Sequence, residues 1–107
     1  MALRGRERFE RTLVQGRRAR SGPLAVAVAP GTDPEGSLRL GLAVRVSGKA
    51  RAVRRNRLRR RLRAAASVAG LEGRDVVVRA GAEALGLDFQ DLVDHFRRAV
   101  ARAERSS

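Results

Sequence analysis

Apolar side chains recur along this chain with two different periods. From Leu24 to Ala29 bulky and small residues alternate, with Leu24, Val26 and Val28 opposite Ala25, Ala27 and Ala29. That pattern predicts a strand with one bulky face. Pro30 to Gly36 is rich in Pro, Gly and Asp and predicts a loop. Leu38 to Val46 alternates again, with Leu38, Leu40, Leu42, Val44 and Val46 opposite Arg39, Gly41, Ala43 and Arg45. The simplest pairing of the two strands is a hairpin. One sheet face is then continuously aliphatic and belongs to the core. The other carries Ala25, Ala27, Ala29, Gly41 and Ala43, with Arg39 and Arg45 beside them. It is either a plain solvated face or a shallow groove in which a nucleic-acid strand approaches the backbone.

The helical period appears three times. In residues 7–15, Glu7 and Arg11 are spaced i,i+4, Phe9 and Leu13 stack one turn apart, and Gly16 is a stop. Residues 17–23 read as a basic, turn-rich connection. A long helix is expected from about Ala50 to Ala69, its apolar stripe being Leu58, Leu62, Ala65 and Ala69. Gly70 and Gly73 bracket a break, and residues 75–79 form a short, mostly apolar strand that belongs inside a sheet. Asp88 is expected to cap a last helix on which Phe89, Val93, Phe96 and Val100 form the buried stripe. The predicted order is helix, two or three strands, helix, strand, helix. At 107 residues, 1–107 make a single domain with one modest core.

Charge changes the picture at the long helix. Nine of the fifteen residues from Lys49 to Arg63 are cationic, against a net charge of +13 for the whole chain. The nearest acids are Glu35 and Glu72. Residues 1–70 hold 18 basic and 4 acidic residues, whereas residues 71–107 hold 6 and 7. Such density opposes helix formation. Arg51, Arg54 and Arg55 crowd the positive end of the helix dipole, and like charges four residues apart cost roughly 0.2–0.5 kcal/mol per pair. Arg54, Arg57 and Arg61 lie along one flank, Arg55, Arg59 and Arg63 along the other, and Arg60 points outward. A polyanion relieves the repulsion, so the helix reads as a nucleic-acid contact surface. Its apolar stripe is too narrow for membrane insertion, and no apolar run is long enough to span a bilayer. The basic N-terminus has no apolar run behind it, so no signal peptide is expected. The absence of cysteine removes disulfides and thiolate metal sites.

Catalytic constellations are not visible. His95, the only histidine, falls opposite the last helix's stripe and reads as a solvated surface residue. Asp88, Asp91 and Asp94 are spaced as cap and solvent face rather than as metal ligands. No Gly-rich loop ends in Gly-Lys-Ser/Thr, and no nucleophile stands beside a base. Any reaction would be carried by another molecule.

The run Arg55-Asn56-Arg57-Leu58-Arg59-Arg60-Arg61-Leu62-Arg63 resembles the signature of the bacterial ribonuclease P protein component, with Arg55, Asn56, Arg57, Arg59, Arg60 and Arg63 at the motif positions. Residues 39–44 are similar to the family's strand ahead of the motif, and Ala52-Val53 to the pair before it. Leu3, Phe9 and Gly16 resemble its first helix, and residues 75–78 its last strand. The resemblance implies an α+β fold of order αβββαβα, a mixed four-stranded sheet packed with three helices and a left-handed βαβ crossover. It implies a ribonuclease P subunit that binds the catalytic RNA and the 5′ leader of precursor tRNA. The RNA would carry the endonucleolytic chemistry with its own Mg²⁺, and the protein would bind no cofactor. A bacterial cytoplasmic location follows. The motif arginines, with Arg51, Arg54 and Arg61, would meet the RNA subunit; Phe9, Leu13, Ala27, Arg39, Ala43 and Arg45 would line the leader cleft. Asn56 would either brace the helix start or read an RNA edge. Leu13 and Ala27 stand where the family often has aromatics, the turn before the motif is one residue longer, and the stretch after the last strand is shorter. The rival readings are a ribosomal protein or RNA chaperone, a major-groove DNA binder and a stand-alone nuclease.

Overall fold

The computed structural model describes residues 6–105, so Leu3 lies outside the described residues. The elements follow in the order α1 (Arg6–Gln15), β1 (Arg17–Ser21), β2 (Leu24–Pro30), β3 (Arg39–Arg45), α2 (Arg51–Ala69), β4 (Arg74–Gly81), a 3₁₀ segment (Ala82–Gly86) and α3 (Phe89–Arg105). This is the expected αβββαβα order, with a mixed four-stranded sheet. The sheet order is β1-β2-β4-β3. β1 and β4 flank β2 antiparallel, while β3 runs parallel to β4.

Two expectations about the strands are corrected. The basic run after α1 is not a connection but an edge strand, hairpinned to β2 through Gly22, whose φ is 55°. The positions on its α3 side are Arg17, Ala19 and Ser21, of which only Ser21 is buried, too polar a set to read as a strand from hydrophobicity. β2 and β3 are not a hairpin either, because β4 lies between them. The Val76–Val77–Val78 run is buried on both faces, as a central strand requires, so it takes the middle place that a direct β2–β3 pairing would deny it.

The assignment of faces survives this change of order, because both neighbours keep in phase with β4. Val26, Val78 and Leu42 share one row, as do Val28, Val76 and Leu40. These rows form the core with Leu58, Leu62, Ala65, Ala66 and Ala69 of α2 and Leu92, Val93, Phe96, Ala99 and Val100 of α3. Phe89 is not part of that stripe; it is 37% exposed at the start of α3. His95 is not a free surface residue. Its Nδ1 lies 2.8 Å from Ser21 Oγ, and its ring fills the space that a side chain at Gly22 would need. It therefore pins the β1–β2 turn to α3.

Among the described residues, the opposite sheet face carries only α1. Phe9 lies directly on Gly41, where an added Cβ would approach the ring to 2.8 Å. Two helices thus cover one face and a single short helix part of the other, and among the described residues the rest of that second face is open.

Candidate nucleic-acid interface

The longer cationic surface is α2. β3 ends at Arg45, Val46 is buried, and the chain turns through Gly48 at φ 90° before Ala50 starts the helix. Ala50 has φ 56° and ψ 31°, a left-handed conformation that costs a non-glycine residue roughly 1–2 kcal/mol. Its carbonyl accepts the Arg54 N–H at 3.0 Å, and no side chain caps the helix. The C-terminal end closes on Gly70, also left-handed, in the usual way for a helix stop.

The arginines of α2 divide by what they touch. Arg51, Arg55, Arg57, Arg60 and Arg63 are exposed, and among the described residues no ion pair involves any arginine of α2. Arg54 is half-buried and donates from Nη1 to the Ser47 carbonyl at 3.0 Å. Arg59 is half-buried, with its Nε enclosed and unpartnered. Arg61 reaches across to the 3₁₀ segment and donates to the carbonyls of Ala84, Leu85 and Leu87 at 3.5, 3.2 and 2.6 Å. Asn56 is exposed, and its amide has no hydrogen-bond partner among the described residues. Bracing of the helix start therefore has no bond to rest on.

The second surface is the open sheet face. The strand register sets Arg20, Ala25, Arg79 and Ala43 side by side across all four strands. Arg45 stands one alternation further along β3, paired with Gly81. Together these residues line a groove of about 950 Å³, with Glu83 on its rim. A smaller hollow beside it is lined by Leu13, Ala25, Ala27 and Arg79 and continues to α1. Of the cleft residues expected from sequence, Leu13, Ala27, Ala43 and Arg45 meet here. Phe9 sits one row away on Gly41.

Arg39 is placed differently. It is 8% exposed and lies against Asp33 at 3.8 Å, beneath the loop joining β2 and β3. Asp75, its partner across the sheet, accepts from Thr32 N–H and Oγ1. Burial pushes the Asp33 carboxyl up, but hydrogen bonds from Ser37 and Glu35 outweigh it and hold the pKa below the usual carboxylate value. Arg39 thus organises a loop rather than presenting a free cation. Arg20 and Arg79 escaped the sequence reading. Arg79 ends the apolar run of β4, and only the register reveals that it stands between two alanines; Arg20 was hidden in the supposed connection. Arg18 shares their face but is occupied, its guanidinium closing the end of α1 at the Leu13 carbonyl.

A mixed sheet with a cationic helix on one face and an arginine-bordered groove on the other defines a small, strongly basic α+β protein whose cations are largely displayed rather than paired. Within that class its family is specific. The ribonuclease P family model matches residues 1–104, and the chain belongs to that family. The fold is similar to the ribonuclease P protein of Staphylococcus aureus, with 20% identity and a TM-score of 0.72 over 96% of this chain and 94% of that one. It is similar also to the Thermotoga maritima protein, with 18% identity and a TM-score of 0.67 over 100% and 98%. The Thermotoga protein in complex with 1-(4-fluorophenyl)-2-thiourea matches at 24% identity and a TM-score of 0.71, over 98% and 99%. No curated protein sequence matches significantly. No described helix is long and apolar enough to cross a membrane.

Proposed function

We propose that this chain binds the catalytic RNA of a ribonuclease P holoenzyme through α2, and the single-stranded 5′ leader of precursor tRNA through the open sheet face. The observation that carries this reading is the placement of two exposed cationic surfaces on opposite faces of one sheet, meeting at the end where β3 passes into α2. A protein with one polyanionic partner needs one such surface. One that must touch an RNA subunit and a substrate together uses two.

On this reading Arg51, Arg55, Arg57, Arg60 and Arg63 neutralise phosphates of the RNA subunit, and Asn56 supplies a directional amide between them. The protein contributes positioning and charge neutralisation. Hydrolysis of the leader phosphodiester, and the Mg²⁺ that assists it, belong to the RNA, and no cofactor is assigned to the chain.

The test separates the two surfaces. Titration of bacterial ribonuclease P RNA with the protein at several salt concentrations should give a steep loss of affinity with salt. Arg57→Gln or Arg60→Gln should flatten that slope by about one unit per lost phosphate contact. Slopes unchanged by either substitution would remove α2 from the RNA interface.

A further inference from the structure

The groove on the open face has an unusual composition for a single-strand site. Sequence-tolerant binding of single strands ordinarily uses aromatic rings on which bases stack. Here the floor is alanine, at Ala25, Ala27 and Ala43. The chain has three phenylalanines and neither tyrosine nor tryptophan. Phe96 is fully buried in the core, Phe89 is on α3 across the sheet, and Phe9 has one ring face laid on Gly41. None lines the groove. What the groove presents instead is charge. Arg20, Arg45 and Arg79 are all exposed, and their guanidinium groups have no hydrogen-bond or ion-pair partner among the described residues. Glu83 is the one opposing carboxylate on the rim.

The spacing suits a backbone. Arg20 and Arg79 stand two strands apart in one row, about 10 Å from Cα to Cα, and Arg45 is one strand further and one alternation along. The three cations therefore run obliquely across the sheet rather than clustering at one point. Alanine between them allows a chain of phosphates to come down close to the strands. A floor without stacking rings or exposed amide side chains leaves the three arginines as the groove's base-contacting groups, and a guanidinium engaged on a phosphate is not free to read a base.

We infer that this groove holds the leader by its phosphates, with Arg79 as the central contact and Arg20 and Arg45 on either side, and leaves the bases unread. The inference rests on the leader-binding reading above and narrows it: substrates are sorted by the presence and length of a leader, not by its sequence.

The experiment uses holoenzyme reconstituted from this protein and bacterial ribonuclease P RNA. The probes are one precursor tRNA carrying an eight-nucleotide U-rich leader, an eight-nucleotide A-rich leader or a single-nucleotide leader. Affinity is measured against salt for the unmodified protein and for Arg79→Gln, with circular dichroism and thermal melting as the check that this exposed substitution leaves the fold intact. The two long leaders should bind within about threefold of each other. Both should show a salt slope steeper than the one-nucleotide substrate by about two units, at roughly 0.7 per single-strand phosphate contact. Arg79→Gln should remove about 0.7 of that excess for both leaders alike. A tenfold or greater preference for one long leader, or an excess slope that Arg79→Gln leaves untouched, would overturn the inference while leaving leader binding standing. Equal affinity and slope for long and one-nucleotide leaders would overturn leader binding itself, and the phosphate groove with it.

Discussion

Arg57 and Arg61 are one helical turn apart on α2, and their side chains do different work. Arg57 is exposed, whereas Arg61 satisfies three carbonyls at the end of the 3₁₀ segment that walls the open-face groove. Hydrogen bonds from a charged donor contribute roughly 1.5–3 kcal/mol when sheltered, and partial exposure of Arg61 lowers that. Arg61→Ala should therefore destabilise the protein by about 1–2 kcal/mol in urea denaturation, through loosening of residues 82–87. Arg57→Ala should stay within about 0.5 kcal/mol of the unmodified protein, as surface substitutions do. The sequence showed both as members of one cationic helix. What it lacked was the destination of each guanidinium, since three backbone carbonyls some 23 to 26 residues away leave no trace in helical spacing. Arg39 was hidden for the same reason: its position in β3 was legible, its burial against Asp33 was not.

At the scale of elements, the helices and the bulky strands were legible because their periods were strong. The stripe Leu58, Leu62, Ala65 and Ala69 is buried as spacing required, and Ala66 joins it. β1 was not legible, because an edge strand can carry Arg17, Ala19 and Ser21 on its α3 side, bury only the serine and show no alternation of hydrophobicity. Two junctions invite substitution. At Ala50 the left-handed backbone suits glycine, so Ala50→Gly should stabilise the protein by about 1 kcal/mol. Thermal melting would show this as a rise of several degrees; a fall would mean that the residue is not held left-handed in solution. At Gly41 a methyl group collides with the Phe9 ring, so Gly41→Ala should displace α1 at a cost of about 1–3 kcal/mol. Adding Phe9→Ala should recover part of that cost. A simple sum of the two losses would show that the ring does not rest on Gly41.

Across the whole molecule, two cationic surfaces lie on opposite faces of one sheet, and strand order decides what each contains. Pattern alone placed the aliphatic and the small faces correctly, yet paired β2 with β3. With β4 in the middle, the open face gains Arg79, and β1 at the edge adds Arg20. The resemblance in the Arg55–Arg63 motif carried the family and the fold order, both of which the structure and the family match uphold. The make-up of the groove followed only from register. The most direct measurement is single-turnover cleavage of precursor tRNA at low magnesium, comparing bacterial ribonuclease P RNA alone, this protein alone and the two together. Correct 5′ cleavage restored only by the combination is the expected result. Tight RNA binding without any restoration of cleavage would contradict a role as the subunit of ribonuclease P.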